Sequence, residues 1–459
     1  MRSRKIRVGA VAAMAVTGLV LAGCASDDDT NEPQSAGGTW PGEGMSECEG
    51  LEQLAEFGDL TGTTVGVYTS ILPPEQEAHE ASYELFTTCT GAEVDYDGSD
   101  QFETQLVVRV KAGNAPDIAY IPQPGLLQTV VASGEVEAAP TPTADNVDEF
   151  FGEDWKGYGT VDGTFYAAPL GASVKSFVWY SPSMFSDNGW EVPETWDDMI
   201  ALSDEIADSG MKPWCVGIES GEATGWVATD WLEDAVLRDA GADTYDQWVN
   251  HEIAFDDPAI VESLDRVGEI MKNPDYVNGG FGDVNSIATT AVQDGGLPIL
   301  DGKCALHRQA SFYAAQWPEG TNVNEDGDVF AFYLPPTNEE NGKPVLGGGE
   351  FVAAFSNEPQ VQAFQTYLST DVWANEKAQA TPGGGWVSAN TGLDIANLTS
   401  PIDQLSAETF QDPEAVFRFD GSDQMPSAIG AGAFWKEMTA WVTGDSSEQA
   451  LGNIESAWQ

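Results

Sequence analysis

Basic residues are scarce in this chain of 459 residues. Lysine and arginine together number 18, against 75 aspartates and glutamates, and the formal net charge is −57 at pH 7. Such a chain repels nucleic acid and anionic lipid headgroups, and it repels an anionic ligand unless a local basic pocket collects it. The composition therefore argues against nucleic acid as a partner and favours a neutral ligand over a phosphate or nucleotide. The same acid excess is also typical of salt-adapted proteins.

Histidine and cysteine are also rare, with three and five residues respectively. His79, His251 and His307 lie in no nucleophile motif, and no Cys-x-x-Cys occurs. The triple glycines at 347–349 and 383–385 lack the Lys-Ser/Thr continuation of a phosphate-binding loop. The sequence therefore predicts no cofactor and no metal site, and it argues against a Ser/His/Asp hydrolase.

The apolar run at the N-terminus, residues 8–23, is too short for a membrane-spanning helix with these flanks. Four basic residues precede it, which is the pattern of an export signal over residues 1–23. Its end, Leu-Ala-Gly-Cys at 21–24, resembles the lipobox of bacterial lipoproteins. That resemblance implies cleavage before Cys24 and a lipid on its sulfur. The alternative is plain secretion after cleavage at an Ala-x-Ala-like site.

Residues 24–50 are acidic, small and rich in proline and glycine, and we expect them to form a flexible tether. The rest of the chain is long enough for two or three structural lobes. Once Cys24 is set aside, an even number of cysteines remains, which predicts two disulfides in an exported protein. These four residues allow three pairings: Cys48, Cys89, Cys215 and Cys304.

Residues 63–121 alternate between strand and helix patterns. Strands are predicted at 63–70, 92–96 and 117–121, and helices at 75–88 and 101–112. Strand, helix, strand, helix, strand within about 60 residues is typical of a parallel sheet with crossover helices.

A second α/β series begins near Phe165 and includes a helix over 193–210 and a strand over 212–217. The motif GIESGEATGWVATDW, residues 217–231, follows that strand directly. Its glycines and threonines predict a loop, with a helix beginning at Trp231. Ligands in α/β folds settle at the carboxyl ends of strands, so this loop is a candidate binding segment.

Several segments, in this order, resemble the extracellular sugar-binding proteins of bacterial ABC importers, the maltose-binding-protein-like group. They are the lipobox, NAPDIAYIPQPG, DGTFYAAPLGASVKSFVWYSPSMF, PETWDDM, GKCALHRQASF and MPSAIGAGAFW. The segment PWCVGIESGEATGWVATDWLED, together with GKCALHRQASF, is most similar to the α-glucoside-binding branch. The resemblance covers nearly all of the chain after the signal, and its strength lies in order and spacing rather than in any one segment.

The resemblance implies an α/β fold of two lobes, each a mostly parallel sheet flanked by helices, joined by a multi-strand hinge. It places the crossings near Leu170, Pro335 and Gly384. The expected bounds are 50–169 with 335–383 for lobe one, and 170–334 with 384–459 for lobe two. The pairing Cys48–Cys89 and Cys215–Cys304 then keeps each disulfide within one lobe.

The function implied is that of an extracytoplasmic binding protein without enzymatic activity. We expect it to be a monomer anchored to the membrane through Cys24. It would capture a neutral sugar, an α-glucoside-like oligosaccharide, by lobe closure and deliver it to ABC permease subunits.

A sugar presents hydroxyls and apolar ring faces, so its site needs aromatic rings together with carboxylates, amides or a guanidinium. The motif at 217–231 supplies Trp226, Asp230 and Trp231. The resemblance and the neighbouring patterns add Glu77, Gln123, Ser173, Arg308, Glu350, Trp386 and Trp435.

Several of these residues have a structural alternative. Asp230 could instead cap the helix at Trp231, the tryptophans could be core residues, and Glu77 could lie on a solvated helix face. Arg308 could pair with one of the many acids, and we expect His307 to be structural.

Two other functions remain open from the sequence. One is binding of a non-sugar solute such as a peptide or a polyamine, and the acid-rich surface would suit a cation such as the polyamine. The other is a secreted glycoside hydrolase, which needs two carboxylates at a defined separation. With 75 acids in the chain, candidate pairs are too many to be informative.

Overall fold

The computed structural model describes residues 39–412 and 414–458. The export signal and the lipidation of Cys24 lie outside the described residues. Within those ranges, no helix is both long and apolar enough to cross a membrane.

The tether predicted for residues 24–50 extends too far along the chain. Trp40 and Cys48 are buried in a hydrophobic cluster with Leu51 and Phe86. Cys48 is bonded to Cys89, with 5.8 Å between the two Cα atoms. This packing confines any tether to residues before Trp40.

The strands are β1 Thr64–Thr69, β2 Glu93–Gly98, β3 Ile118–Ile121, β4 Thr160–Val161, β5 Thr164–Phe165, β6 Ala167–Pro169, β7 Ser173–Val174, β8 Phe177–Tyr180, β9 Lys212–Trp214, β10 Cys304–Arg308, β11 Phe330–Tyr333, β12 Lys343–Gly348, β13 Phe351–Ala354 and β14 Ala415–Phe419.

The α-helices are α1 Glu75–Ala81, α2 Glu84–Thr90, α3 Phe102–Lys111, α4 Pro124–Val131, α5 Thr141–Phe150, α6 Glu153–Tyr158, α7 Pro182–Asn188, α8 Trp196–Asp208, α9 Trp226–Asp239, α10 Ala242–Val249, α11 Pro258–Met271, α12 Pro359–Leu368, α13 Asp371–Gln379, α14 Pro401–Gln411, α15 Gly421–Gln424, α16 Trp435–Thr443 and α17 Ser447–Ala457.

The first sheet has the order β2-β1-β3-β13-β6. Strand β1 pairs in parallel with β2 and β3, and β13 pairs antiparallel with β3 and β6. The parallel sheet predicted for residues 63–121 is thus confirmed. The helix predicted at 75–88 is instead two helices, α1 and α2. They are separated where the Ser82 hydroxyl donates to the carbonyl of His79 and accepts from the Trp373 indole.

The second sheet has the order β11-β8-β10-β9. Strand β10 pairs in parallel with β9 and antiparallel with β8. Cys215, directly after β9, is bonded to Cys304 at the start of β10. Both predicted disulfide pairings are therefore present.

The third sheet, in the order β14-β12-β7, connects the other elements. The chain leaves the first sheet after β6, enters the third at β7, and returns to the first between β12 and β13. The predicted crossing at Pro335 assigns β12 to lobe one. Its backbone hydrogen bonds, however, go to β14 and β7. We therefore place this passage at residues 349–350; the remaining lobe boundaries stay a prediction.

Candidate ligand-binding site

A cavity of about 450 Å³ lies where the three sheets meet. The loops after β1 and β3 form one wall, and the segment before α9, together with the first residues of α9 and α16, forms the opposite wall. Gly171 and Glu350, in the two passages between sheets, lie between these walls. The volume is within the range of about 300–1,000 Å³ that is usual for small-molecule sites.

Part of the sequence-predicted set lines this cavity. The residues concerned are Gln123, Ser173, Trp226, Glu350, Trp386 and Trp435.

Trp226 and Trp435 are brought to one cavity by a close contact between two helix starts. Helix α9 begins at Trp226 rather than at the predicted Trp231, because Gly225 precedes it with a φ of 114°. A Cβ at Gly225 would clash with the carbonyl oxygen of Trp435. Glycine is therefore required both by the backbone conformation and by the close approach. The Trp226 ring lies 6.1 Å from that of Phe312, also in the cavity wall.

Trp386 and Glu350 approach the backbone at Gly171. A Cβ at Gly171 would lie 3.0 Å from Trp386 Nε1 and 3.1 Å from Glu350 Oε2. The Trp386 ring packs edge-on against Trp373, with 5.6 Å between the centroids. The absence of a side chain at Gly171 thus leaves room for an indole and a carboxyl on the cavity floor.

Several buried polar atoms of the cavity wall have no hydrogen-bond partner among the described residues. They are Trp386 Nε1, Trp435 Nε1, Gln123 Oε1 and His79 Nδ1. Buried polar groups in folded proteins are nearly always paired, so these atoms can bond to water or to a ligand that enters the cavity.

Beneath the aromatic wall, the Lys175 ammonium is surrounded by carboxylates. Its Nζ lies 2.5 Å from Asp420 Oδ2, 3.1 Å from Asp230 Oδ1 and 3.9 Å from Asp423 Oδ2. Burial alone would lower the pKa of Lys175, but these acids raise it well above its ordinary value. Lys175 Nζ is also 5.4 Å from the centroid of the Trp226 ring.

Asp230, predicted as an acceptor for sugar hydroxyls, is fully buried below the cavity and serves as a partner of Lys175. Burial raises its pKa to about 7, against the opposing effect of Lys175. The carboxylates of Asp230, Glu233 and Asp420 lie close enough to share a metal ion. Two of the three are already paired with the lysine ammonium, which takes the place of a cation there.

Three further predicted residues do not line this cavity. Arg308 is buried and forms ion pairs with Asp234 and Asp230, which is the structural alternative considered for it. Trp231 is buried with its ring 5.4 Å from that of Trp214. Glu77 is exposed and lines a neighbouring, smaller cavity.

Glu75 is a cavity residue that the sequence analysis did not identify. Its Oε1 accepts a hydrogen bond of 2.9 Å from Gln316 Nε2, in the segment that follows β10 and also lines the cavity. Burial, reinforced by the charge of Glu350, raises the pKa of Glu75 to about 8. A helical pattern places Glu75 on the same face as the buried His79, four residues later, and Glu77 away from it. The four-residue spacing between Glu75 and His79 is the sequence signal that could have identified Glu75.

Other cavity residues that were not predicted are Glu103, Lys175, Gln293, Phe312, Gln316 and Asp423.

The family model for the bacterial extracellular solute-binding protein matches residues 72–380. The chain belongs to this family. It is 39% identical over 416 residues to the osmoprotective compounds-binding protein GgtB of Synechocystis, covering 90% of this chain and 96% of that protein. It is 38% identical over 427 residues to the alpha-glucosides-binding periplasmic protein AglE of Rhizobium meliloti, covering 89% and 90%.

Solved structures show the same fold. The solute receptor AcbH superposes with a TM-score of 0.73 at 20% identity, covering 86% of this chain and 98% of that one. The maltose-bound MalE3 of T. maritima superposes with a TM-score of 0.66 at 15% identity, covering 86% and 98%. The protein therefore has the two-lobed periplasmic-binding-protein fold. As a member of the extracellular solute-binding family, it acts outside the cytoplasm in an ABC transport system.

Arg308 is expected to support stability from below the cavity. Replacing Arg308 by methionine leaves Asp230 and Asp234 short of a partner, which typically costs about 3–5 kcal/mol for a buried pair. Urea unfolding measures the loss. The control is Lys303→Met, which removes an exposed ion pair with Asp301 and should cost no more than about 1 kcal/mol. Equal stabilities of the two variants would contradict this role.

Glu75 should make stability depend on pH. The pKa of Glu75 is raised to about 8, so its stabilising contribution is complete below its ordinary pKa of 4.5 and is lost as the pH rises to about 8. Three titratable groups surround the Glu75 carboxyl: Lys377, Glu350 and His79. Burial lowers the pKa of Lys377 to about 8, and burial keeps His79 neutral.

The test is the free energy of unfolding of the wild type minus that of Glu75→Gln, measured by urea titration from pH 4 to 9. This difference should fall between about pH 4.5 and 8. Glu77→Gln, two residues away at an exposed position, is the matched control. A profile for Glu75→Gln identical to that of the control would show that Glu75 is not the titrating group.

Proposed function

We propose that this protein captures a neutral, α-glucoside-like sugar in the cavity between its lobes and delivers it to the permease subunits of an ABC importer. A lipid on Cys24 would keep it at the membrane surface. The observation that carries the proposal is the convergence of Trp226, Trp386 and Trp435 on one cavity that also contains unpaired polar atoms.

The polar groups of the cavity suit an uncharged ligand. Burial raises the pKa of Glu75, Glu103 and Glu350. At about 8, the pKa of Glu75 leaves its carboxyl mostly protonated at pH 7, able to donate as well as accept a hydrogen bond. The charge of Lys175, in the cavity wall, is already neutralised by its ion pairs with Asp230 and Asp420. A sugar, with hydroxyls that donate and accept and apolar ring faces that stack on indoles, matches these groups.

The two walls already touch across the cavity, which supports capture by closure. Gln316, in predicted lobe two, donates to Glu75, in predicted lobe one. Gly221 approaches Asp100 so closely that a Cβ would lie 3.1 Å from the Asp100 carbonyl oxygen. A ligand that contacts both walls binds the closed form better and therefore shifts the population towards it.

The relatives are consistent with this ligand class, since one is named for alpha-glucosides and the other for osmoprotective compounds. One observation favours a different solute. The acids Glu75, Asp100, Glu103 and Glu350 line the cavity, and Lys175 is the only lysine or arginine among the described residues of its wall. A cationic ligand such as a polyamine is therefore the second candidate.

Titration calorimetry of the mature protein with maltose, trehalose and related glucosides tests the proposal. We expect saturable heat, a change in tryptophan fluorescence and a higher melting temperature with at least one sugar. Trp226→Ala should weaken the affinity for that sugar at least tenfold, which corresponds to about 1.4 kcal/mol of binding free energy, because it removes a stacking face.

Trp458→Ala is the control, because Trp458 stacks on His251 and does not line the cavity. It should leave the affinity unchanged. Binding of spermidine with no response to any glucoside would contradict the proposal and support the cationic candidate. Turnover of an aryl glucoside would instead show an enzyme.

A further inference from the structure

A second cavity of about 320 Å³ adjoins the first. It is formed by α1, the end of α13 and the loop 381–385. Its rim is exposed at Glu77, Pro382 and Gly383, whereas His79 and Lys377 on its floor are only 3% and 2% exposed. A concave space with a solvent-facing rim and a buried polar floor is the usual form of a ligand site.

The two cavities share four lining residues, which are Glu75, His79, Gly385 and Trp386. These residues therefore form the boundary at which the cavities meet. The second cavity lies beyond this boundary, on its solvent-facing side.

The boundary carries polar atoms that no described residue satisfies. His79 Nδ1 and Trp386 Nε1 are buried and have no hydrogen-bond partner. On the floor of the second cavity, Lys377 Nζ donates to Thr381 Oγ1 at 2.9 Å and lies 5.3 Å from the centroid of the Trp386 ring. An ammonium has three donors, so this lysine can also bond a ligand oxygen.

The charges around the second cavity favour an uncharged occupant. Lys377 faces Glu75 within it, with Glu350 and Asp403 close by. An anion would meet these acids, and a cation would meet the lysine. Hydroxyl groups, which both donate and accept, can bond to the lysine, the imidazole, the indole and the carboxyl alike.

We propose that the first cavity holds two sugar rings and that the second cavity is a further subsite, so that the bound ligand continues past Trp386 and places a third, hydroxyl-bearing ring between α1 and the loop 381–385. This inference rests on the proposed function, since it extends the sugar that the first cavity holds. The preferred ligand is then a trisaccharide or longer, and its far end lies at the exposed rim.

The test compares maltose with maltotriose by titration calorimetry. Wild-type protein should bind maltotriose at least tenfold more tightly than maltose. Ala380→Phe places a ring in the second cavity from a residue that does not line the first. It should abolish the gain for maltotriose and leave the affinity for maltose unchanged. Glu77→Trp, a surface substitution at the rim of the same cavity, provides the same measurement if Ala380→Phe does not fold.

Two outcomes would overturn the second subsite and leave the proposed function intact. One is wild-type protein that binds maltose as tightly as maltotriose or more tightly. The other is a maltotriose gain that survives in the folded variant. Binding of neither sugar by the wild type would contradict the proposed function itself, so the two failures are distinguishable.

Discussion

The cavity depends on one buried ammonium. Lys175 lies between β7 and β8, and it binds Asp230 of α9 and Asp420, which precedes α15. The chain segments that provide these groups lie far apart in sequence, and this ion-pair cluster holds them together. Glu233 adds to the cluster by accepting hydrogen bonds from the backbone N–H groups of Gly421 and Ser422. Removing one partner of such a buried cluster leaves uncompensated charge and typically costs about 3–5 kcal/mol.

The cluster also determines where the aromatic wall lies. Helix α9 carries both Asp230, which binds the lysine, and Trp226, one turn earlier, which faces the cavity. Gly225 then allows the start of α9 to touch the start of α16, and this contact places Trp435 beside the same cavity. The ion pairs around Lys175 and the glycine contact at the helix starts thus position the indole rings of Trp226 and Trp435 at the cavity.

The first sheet and both disulfides could be predicted from the sequence, because strand and helix periodicity is local and the family resemblance restricts the cysteine pairing. The presence of three tryptophans at the cavity could also be predicted, Trp226 and Trp386 from their small and glycine-rich neighbours and Trp435 from the family resemblance, whereas Phe312 could not. Asp230 and Arg308 could not be placed correctly. Their partners, Lys175 and Asp234, are 55 and 74 residues away, and a sequence pattern does not show which acid a given base will meet. Glu77 was predicted as the site acid, whereas Glu75 lines the main cavity, because residues two positions apart on a helix point to different faces.

In the proposed complex, a sugar lies between the two walls of the cavity, against the tryptophans. A crystal structure of the mature protein with the most tightly bound glucoside measures this directly. We expect a sugar ring packed against the face of Trp226 or Trp435, with carbon atoms within about 4.0–4.5 Å of the indole and a hydroxyl hydrogen-bonded to Glu75 or Glu350. A sugar bound elsewhere on the protein, with only water in the cavity, would contradict the account.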